Sequence, residues 1–513
     1  MLRKLGFLLL AGALTFGAMA QDTVPLVELT DELMQVQGLV PEGWQAVGGG
    51  LYAAPDGAIL ALQTAPVSIE AVAASVLPQM GLSELPEPAG TLESNGLNWT
   101  IYQVDVASGP LAGRTDFAFA FLDGVTYVAL LVAPPEQYDI LHAQVFEPVL
   151  AAVQFYNPNA VDASTLAYNS EDVTFSGGAE EVTLAGTFTW PEGDGPFATV
   201  ILLSGSGPQD RNESLRSAGI LLEPFALIAD ALTSAGYAVL RYDDRGVGES
   251  TGDHANAILS DFTDDAAAAI RYALTRPEVN GDALGVLGHS EGGIYAAALG
   301  AANDDIDFII SMAGVAQFGV DLLVEQQMAI LRTSDGSEDV TEEEYAQLEA
   351  YARRMIEAAA IGDFEAAEVA IRETYGWLYD STTEEERAEL AMPDRDGFIQ
   401  SAVDSLLAVY ASPQYVSLLN ANAADDWAQT TVPVLALFGA KDLQVLADSN
   451  IVAIEAALAE AGNTDVTVVN FPEANHLFQA AITGNPSEYA TLEQAFVPEF
   501  LPTIIEWLDA RFG

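Results

Sequence analysis

Two kinds of hydrophobic patterning follow each other along the chain. In residues 21–155, short strand-like runs alternate with turn residues, and two segments with helical spacing flank them. The strand-like runs are 57–65, 98–106, 114–124 and 125–133, and the helical segments are 68–80 and 138–155. This mixture predicts a small N-terminal α+β domain.

A polar, turn-rich stretch at 156–167 predicts a linker, and the pattern changes after it. Apolar runs now alternate regularly with helix-like runs, which is typical of a parallel sheet covered by helices on both faces. The apolar runs are 198–205, 237–244, 284–289, 308–314, 432–440 and 466–473, and the helix-like runs are 221–236, 261–276, 292–302 and 500–512. Residues 168–513 are therefore predicted to form a doubly wound, mostly parallel α/β domain.

One stretch of about 316–425 interrupts this rhythm, because it contains helical patterns and no clear strand. Thr341–Glu344 has the form of a capping box, and residues on one helical face follow it, namely Tyr345, Leu348, Ala352, Met355 and Ile356. A helical insertion late in such a sheet predicts a cap over the strand ends. The alternative is a helical appendage that packs elsewhere.

The N-terminal segment 1–20 has the pattern of a secretory signal. Arg3 and Lys4 precede an apolar stretch that is short for a membrane span, and Ala18–Ala20 has the small-x-small form of a cleavage site. Cleavage near Ala20 would place the protein outside the cytoplasm, either secreted or periplasmic. The sequence contains no cysteine, which excludes disulfides and lipoprotein acylation.

The net charge of −58 makes this an acidic protein, and Lys4 and Lys441 are its only lysines. Such a surface repels nucleic acid and anionic lipid, so we expect no nucleic-acid partner and no stable membrane insertion. The charge is consistent either with solubility or with adaptation to salty surroundings, where cations screen self-repulsion. The oligomeric state is left open.

Two G-x-S-x-G matches, Gly288–Gly292 and Gly248–Gly252, offer a candidate nucleophile. A nucleophilic serine in this architecture lies on a sharp turn between a strand and a helix. Ser290 follows an apolar run and precedes an alanine-rich helical run, whereas Ser250 lies in a charged, glycine-containing loop. The context therefore favours Ser290 and marks Ser250 as a coincidental match.

The general base follows by elimination among four histidines. His142 lies in the first domain, His254 follows the coincidental motif, and His289 is directly next to the nucleophile. His476 remains, on a loop after the last apolar run, where the catalytic histidine of this architecture lies. An acid that orients the imidazole should follow the preceding strand, which predicts Asp442. The order Ser290, Asp442, His476 is that of the α/β-hydrolases.

The oxyanion formed during acyl transfer needs two backbone N–H donors. We expect one from Glu291, the residue after the nucleophile. The other is expected from the glycine-containing loop Ser204–Pro208, with Ser206 as the donor and Gly207 as the alternative.

Five motifs, in order along the chain, resemble a group of bacterial enzymes, the esterase-D-like carboxylesterases with a helical cap. They are LLSGSGPQDRNES, AVLRYDDRGVGESTGD, GVLGHSEGG, PVLALFGAKDLQV and NHLFQ. The resemblance covers about 168–513 and implies an α/β-hydrolase fold and a serine carboxylesterase with the triad Ser290, Asp442 and His476. It also implies that Arg211 and Arg245 form structural ion pairs. Ser204 stands where many members of the wider superfamily have histidine.

The predicted protein is thus a secreted serine hydrolase of small-molecule carboxylic esters. It is expected to need no cofactor and no metal. A serine peptidase or an acyltransferase of the same fold is the alternative. Residues 21–155 show no catalytic constellation; 40–44 and 50–52 are similar to the start of PsbP-like domains. The acyl and alcohol specificity and the role of this first domain are left open.

Overall fold

The computed structural model describes residues 24–31, 34–55, 57–65, 68–80, 82, 84–106, 113–122, 125–157, 161, 166–334, 337, 340–384, 387, 392 and 394–513. The predicted signal segment 1–20 lies outside these residues. The chain divides into two compact units, of which the first comprises 1–160 with 215–221, and the second 161–214 with 222–513.

The first unit is built on two antiparallel sheets. One has the order β1-β2-β10 and the other the order β3-β4-β5-β9-β8-β7-β6. The strands are β1 Leu26–Asp31, β2 Val36–Pro41, β3 Gln45–Gly48, β4 Leu51–Ala53, β5 Ile59–Ala65, β6 Gly90–Ser94, β7 Leu97–Val106, β8 Gly113–Leu122, β9 Val125–Ala133 and β10 Gln154–Phe155.

Helices cover both faces of the larger sheet of this unit. Alternate residues of β8 explain how, because Phe117 and Phe119 join one hydrophobic cluster while Ala118 and Ala120 join the other. The first cluster includes helix α1, and the second includes the helical segment that begins at Tyr138. The helical segments are α1 Ile69–Val76 continued by a 3₁₀ turn Leu77–Met80, then α2 Tyr138–Leu141, a π-helical turn His142–Phe146 and α3 Glu147–Ala152.

The second unit contains an eight-stranded sheet with the order β11-β12-β14-β13-β15-β16-β17-β18. From β14 to β18 all neighbours are parallel, as predicted, whereas β11 and β12 pair antiparallel with each other and β12 pairs antiparallel with β14. The strands are β11 Tyr168–Ser176, β12 Thr183–Pro191, β13 Phe197–Leu203, β14 Ala238–Tyr242, β15 Val279–His289, β16 Phe308–Met312, β17 Val434–Gly439 and β18 Val466–Phe471. This mixed sheet between helices gives the unit the α/β-hydrolase fold.

Helices pack against both faces of this sheet. Along β13, Ile201 and Leu203 contribute to one core cluster and Val200 and Leu202 to the other. The helices outside the cap region are α4 Pro224–Ala235, α5 Leu259–Ala273, α6 Gly292–Ala302, α13 Ala447–Glu460 and α14 Phe500–Phe512. Within the described residues, no helix is long and apolar enough to cross a membrane.

Between β16 and β17 the described chain is helical, over the region predicted as a cap. Its helices are α7 Gly319–Arg332, α8 Glu342–Ala360, α9 Phe364–Ser381, α10 Arg395–Tyr410, α11 Pro413–Leu419 and α12 Ala423–Trp427. Thr341 caps α8 through a hydrogen bond from the Glu344 backbone N–H, and the side chain of Glu344 accepts from the Thr341 backbone in return. Buried residues of α7 to α12 belong to the same cluster as those of α5 and α6, so this region packs on one face of the sheet.

Candidate active site

The candidate residues lie beyond the carboxyl ends of four parallel strands. Ser204–Gly207 follows β13, Ser290 follows β15, Asp442 comes three residues after β17, and His476 comes five residues after β18. Since carboxyl ends of parallel strands share one edge of a sheet, four segments far apart in the sequence meet at one rim. Ligand sites of open α/β sheets lie at this rim.

Ser290 occupies a strained turn between β15 and α6. Its φ of 54° lies in the left-handed region, which non-glycine residues rarely adopt. The backbone fixes this turn, because Ser290 N–H donates to Met312 O at 3.0 Å and Ser290 O accepts from Gly293 N–H at 3.0 Å. Such strain at a strand-to-helix turn is typical of a nucleophile that must be presented at the sheet edge.

Glycines around Ser290 allow three backbone segments to come together. A Cβ on Gly288 would lie 2.2 Å from Gly292 O, and one on Gly292 would lie 2.3 Å from Leu203 O. A Cβ on Gly293 would lie 2.6 Å from the Cα of Gly314. The glycines of this motif are thus required by close packing, which brings the loop after β13 against the turn.

The second G-x-S-x-G motif is structural. Ser250 is buried, its Oγ donates to Asp243 O at 2.8 Å, and it accepts from Ala185 N–H at 2.9 Å. The bond from Ala185 therefore ties the loop after β14 to strand β12, and the bond to Asp243 O holds the loop in its own conformation.

Asp442 and His476 form a buried pair. Asp442 Oδ2 lies 2.8 Å from His476 Nδ1, and Oδ1 accepts from the backbone N–H groups of Gln444 and Val445 at 2.7 and 3.0 Å. The carboxylate is therefore held by the start of its own loop and can fix the imidazole tautomer. Backbone bonds also join the two loops, since Lys441 N–H donates to Ala474 O at 2.9 Å.

The turn that carries His476 is stabilised from within. Asn475 Oδ1 accepts from the backbone N–H groups of Leu477 and Gln479 at 3.0 and 2.9 Å, and Phe478 adopts a φ of 56°. This turn places the His476 ring 4.8 Å, between centroids, from the ring of His289, which directly precedes Ser290. Among the described residues, the hydroxyl of Ser290 has no hydrogen-bond partner, and catalytic hydrogen bonds often form only when substrate is bound.

The expected oxyanion donors lie at the same rim. The backbone N–H of Glu291 makes no hydrogen bond within the described part of the chain, and the same holds for Ser206 and Gly207. Ser206 is exposed, and Gly207 has a φ of 89°. Gly205 is closer to the turn, since its Cβ would lie 3.2 Å from Ser290 Cβ, but its N–H donates to Glu213 Oε1 at 2.8 Å. Both Ser206 and Gly207 therefore keep a free donor for an oxyanion.

The carboxyl groups around this loop are buried. Burial raises the pKa of Glu291 above the ordinary glutamate value, although hydrogen bonds from Tyr295 and Gln414 oppose the shift. Burial likewise raises the pKa of Asp244 well above its ordinary value, against hydrogen bonds from Ser204 and the Gln209 backbone. Burial is the largest cause of both shifts, so little solvent reaches these two carboxyl groups beside the nucleophile turn and the loop after β13.

Cap helix α11 contacts the nucleophile turn directly. Gln414 Nε2 donates to Glu291 Oε1 at 3.0 Å, and the hydroxyl of Tyr295 in α6 donates to the same oxygen. Ser417 Oγ accepts from Leu259 N–H at 3.1 Å. Part of the insertion therefore lies over the strand ends, next to the residue that follows the nucleophile.

The arginines named in the sequence form ion pairs within the second unit. Arg211 Nη2 lies 2.7 Å from both Asp243 and Glu249, and Arg245 Nε lies 2.7 Å from Asp265. In the first unit, His142 Nδ1 lies 2.7 Å from the buried Asp116. The described residues contain no group of three or more histidine or carboxylate side chains arranged to hold a metal ion.

Sequence reasoning missed Glu213, which is buried and contacts both Gly205 and His289. Glu213 lies in a loop of polar residues without periodicity, so no pattern singles it out. Gln414 was missed as well, because only the folded cap brings it to Glu291.

Parts of the chain are similar to known hydrolases. A family model described as serine aminopeptidase, S33, matches residues 222–334. The chain is 30% identical over 185 residues to "Esterase EstD" of Thermotoga maritima, which covers 36% of this chain and 41% of that protein. It is 28% identical over 145 residues to an uncharacterized 31.7 kDa protein of Escherichia coli, covering 28% of this chain and 46% of that protein. The chain thus spans less than half the length of these relatives.

Solved structures give remoter likenesses. An esterase of Pyrococcus furiosus is 16% identical with a TM-score of 0.39, covering 70% of this chain and 98% of that chain. An α/β hydrolase from a Penicillium species is 14% identical with a TM-score of 0.39, covering 67% of this chain and 99% of that chain. Superpositions at this level carry no argument about activity.

Proposed function

Because the C-terminal unit is an esterase-like α/β-hydrolase, we propose that this protein is a serine hydrolase that cleaves small-molecule carboxylic esters. The proposal depends on one observation. Ser290, on a strained turn with its hydroxyl unpartnered among the described residues, shares a rim with a histidine that is already bonded to Asp442 at 2.8 Å. A nucleophile, a base and a residue that orients the base are the minimum for acyl transfer through a serine.

The reaction proceeds in two steps. His476 Nε2 takes the proton from Ser290 Oγ as this oxygen attacks the ester carbonyl, and Asp442 stabilises the imidazolium through Nδ1. The imidazolium then gives its proton to the leaving alkoxide, which departs as the alcohol and leaves an acyl-enzyme. Water attacks this ester with His476 again as the base, which releases the carboxylic acid and restores Ser290.

Backbone donors stabilise the oxyanion of both tetrahedral intermediates. Glu291 N–H supplies one donor, and the loop after β13 supplies the other through Ser206 or Gly207. The loss of one such donor costs an acyl-transfer enzyme roughly 100-fold or more in turnover.

The test is hydrolysis of p-nitrophenyl esters by the wild-type protein and by Ser290→Ala. The expected result is cleavage by the wild type and a loss of nearly all turnover in the variant. Ser250→Ala is the matched control, because it removes a serine hydroxyl from the other G-x-S-x-G motif. Equal cleavage by wild type and Ser290→Ala would overturn the proposal, and a panel of acyl chain lengths on the same preparation would define the substrate range.

A second candidate is an aminopeptidase, which the matched family description favours. The same triad can attack an amide, so the two functions differ in substrate and not in mechanism. Aminoacyl and prolyl p-nitroanilides, assayed beside the esters, separate them. Higher kcat/KM on the anilides than on every ester tested would favour the aminopeptidase.

Export from the cytoplasm is proposed on the pattern of residues 1–20 alone. Expression of the full chain should yield exported protein whose first residue lies near Gln21, as determined by N-terminal sequencing. Protein retained in the cytoplasm with Met1 or Leu2 at its N-terminus would contradict this.

A further inference from the structure

A buried histidine and glutamate beside the candidate triad have no part in the mechanism above. His289 is the last residue of β15 and is 4% exposed, and Glu213, in the loop after β13, is 3% exposed. His289 Nδ1 lies 2.8 Å from Glu213 Oε1, and its Nε2 lies 3.2 Å from the backbone oxygen of His476. Both nitrogens of a fully buried imidazole are therefore engaged.

Glu213 is fixed from the other side. The oxygen that faces His289 also accepts from Gly205 N–H at 2.8 Å, so one carboxylate oxygen receives two donors. Glu213 has a φ of 58°, and its N–H donates to Asp210 O at 2.9 Å. The left-handed region costs a non-glycine residue free energy, so the surrounding contacts must hold Glu213 in this conformation.

The contacts join three segments that the proposed reaction needs in register. Gly205 belongs to the loop that carries the second oxyanion donor, His289 is the strand residue directly before Ser290, and His476 carries the proposed base. One chain of hydrogen bonds links all three segments, from Gly205 N–H through Glu213 and His289 to His476 O.

The partners determine the charge of His289. A carboxylate oxygen and a peptide carbonyl oxygen both accept hydrogen bonds, so each ring nitrogen must donate, and an imidazole that donates from both nitrogens is the cation. Burial lowers the pKa of His289, but the charge and hydrogen bond of Glu213, together with the backbone oxygen of His476 and the charge of Asp442, outweigh burial, and the pKa is raised above the ordinary value. The titratable groups that face this pair are His476, Asp442 and, on the Glu213 side, Asp244.

We propose that Glu213 and His289 are positioning residues. They form a buried ion pair that holds the oxyanion loop (Ser204–Pro208) and the loop that carries His476 in place relative to Ser290. This inference depends on the proposed function. The pair also places a positive charge next to the base, since the rings of His289 and His476 are 4.8 Å apart.

Two variants test the pair. His289→Gln removes the cation, and Glu213→Gln removes its counter-charge while keeping a side chain of similar size. We expect each to lower kcat by roughly 10-fold or more, the lower end of what misplacement of a catalytic group costs. The KM for the ester should change little in either variant, because neither side chain is proposed to touch the substrate.

Asp265→Asn is the matched control. It breaks another buried ion pair of the same unit, between Asp265 and Arg245. Among the described residues, neither side chain of this pair contacts Ser290, Asp442 or His476. This variant should lose stability yet keep the wild-type kcat. Unchanged kcat in both His289→Gln and Glu213→Gln would overturn the positioning role, and a rise in KM with unchanged kcat would count against it as well.

A measurement without substrate separates this inference from the proposed function. The chain has four histidines, so ¹H–¹⁵N correlation spectra of the imidazoles can be assigned with single His→Gln variants. We expect His289 at pH 7.5 to show two protonated ring nitrogens in the wild type and to lose this signature in Glu213→Gln. A neutral His289 in the wild type would overturn the ion pair even in an active esterase. Conversely, if Ser290→Ala hydrolyses esters as fast as the wild type, the proposed function fails while the spectra still decide whether the pair is ionised.

Discussion

Gly292→Ala should damage the site without touching any reacting group. A Cβ at this position would lie 2.3 Å from Leu203 O and 2.7 Å from Ser204 O, and real Cβ atoms essentially never lie under 3.0 Å from another heavy atom. Helix α6 and the end of β13 would have to separate by about 0.7 Å to relieve the closer contact alone. Because both neighbours are backbone atoms, no side-chain rotation can absorb the change.

Two effects follow, and they can be measured separately. Forced overpacking of this kind costs about 1–3 kcal/mol of stability, which corresponds to no more than roughly 4 °C in melting temperature for each kcal/mol. The same displacement moves the oxyanion loop relative to Ser290. A misplacement near 1 Å can cost roughly 100-fold, so we expect kcat for p-nitrophenyl ester hydrolysis to fall by roughly 10- to 100-fold.

Gly300→Ala in the same helix is the control. Its Cβ would lie 2.5 Å from Ile309 Cδ1 and 3.0 Å from Thr430 Oγ1, which are ends of side chains that can move. Both variants replace a glycine of α6 by alanine, so a loss of kcat seen only in Gly292→Ala reports the contact with β13. If Gly292→Ala kept the wild-type kcat and melting temperature, the close approach of helix α6 to Leu203 and Ser204 would be refuted.

Three further predictions concern other contacts in and around the candidate site. Asp442→Asn should keep the fold but lower kcat by roughly 10⁴-fold, as in other triads that lose the residue orienting the histidine, and a decrease below about 10-fold would count against the triad. Ser250→Ala should retain kcat and lose about 1–3 kcal/mol of stability in chemical denaturation, because Ala185 N–H loses its buried acceptor; a catalytic defect at equal folding would contradict the structural role. The stability lost in His289→Gln should be greatest below the ordinary histidine pKa and should shrink as pH rises through the raised pKa of the folded protein, so a loss that grows with pH would count against the pair.

The sequence was most informative where periodicity and a rigid motif coincide. The apolar runs that became β13 to β17 are mostly buried, whereas β18 is largely half-buried. Residues after the carboxyl ends of these parallel strands meet at one rim, so Ser290, Asp442 and His476 could be proposed from their order and their sequence context. Strand β11 was not predicted, because only Val173 and Phe175 of its nine residues are buried. An edge strand of this kind carries little hydrophobic signal.

The remaining features depend on contacts between distant residues. Glu213 and His289 are 76 positions apart, and neither the polar loop of Glu213 nor the motif around His289 contains a pattern that pairs them. The position of His289 next to Ser290 was enough to exclude it as the base. A positioning role could be proposed only from the structure, in which both ring nitrogens have hydrogen-bond partners. The contact between Gln414 and Glu291 similarly depends on how the cap packs.

The central claim is that the hydroxyl of Ser290 becomes a nucleophile through His476. Treatment with a fluorophosphonate, followed by peptide mass mapping, tests it most directly. The account predicts a single adduct on Ser290, none on Ser250, and a rate of labelling that falls sharply in His476→Gln. An adduct on another serine, or an unlabelled Ser290 in a protein that hydrolyses esters, would contradict it.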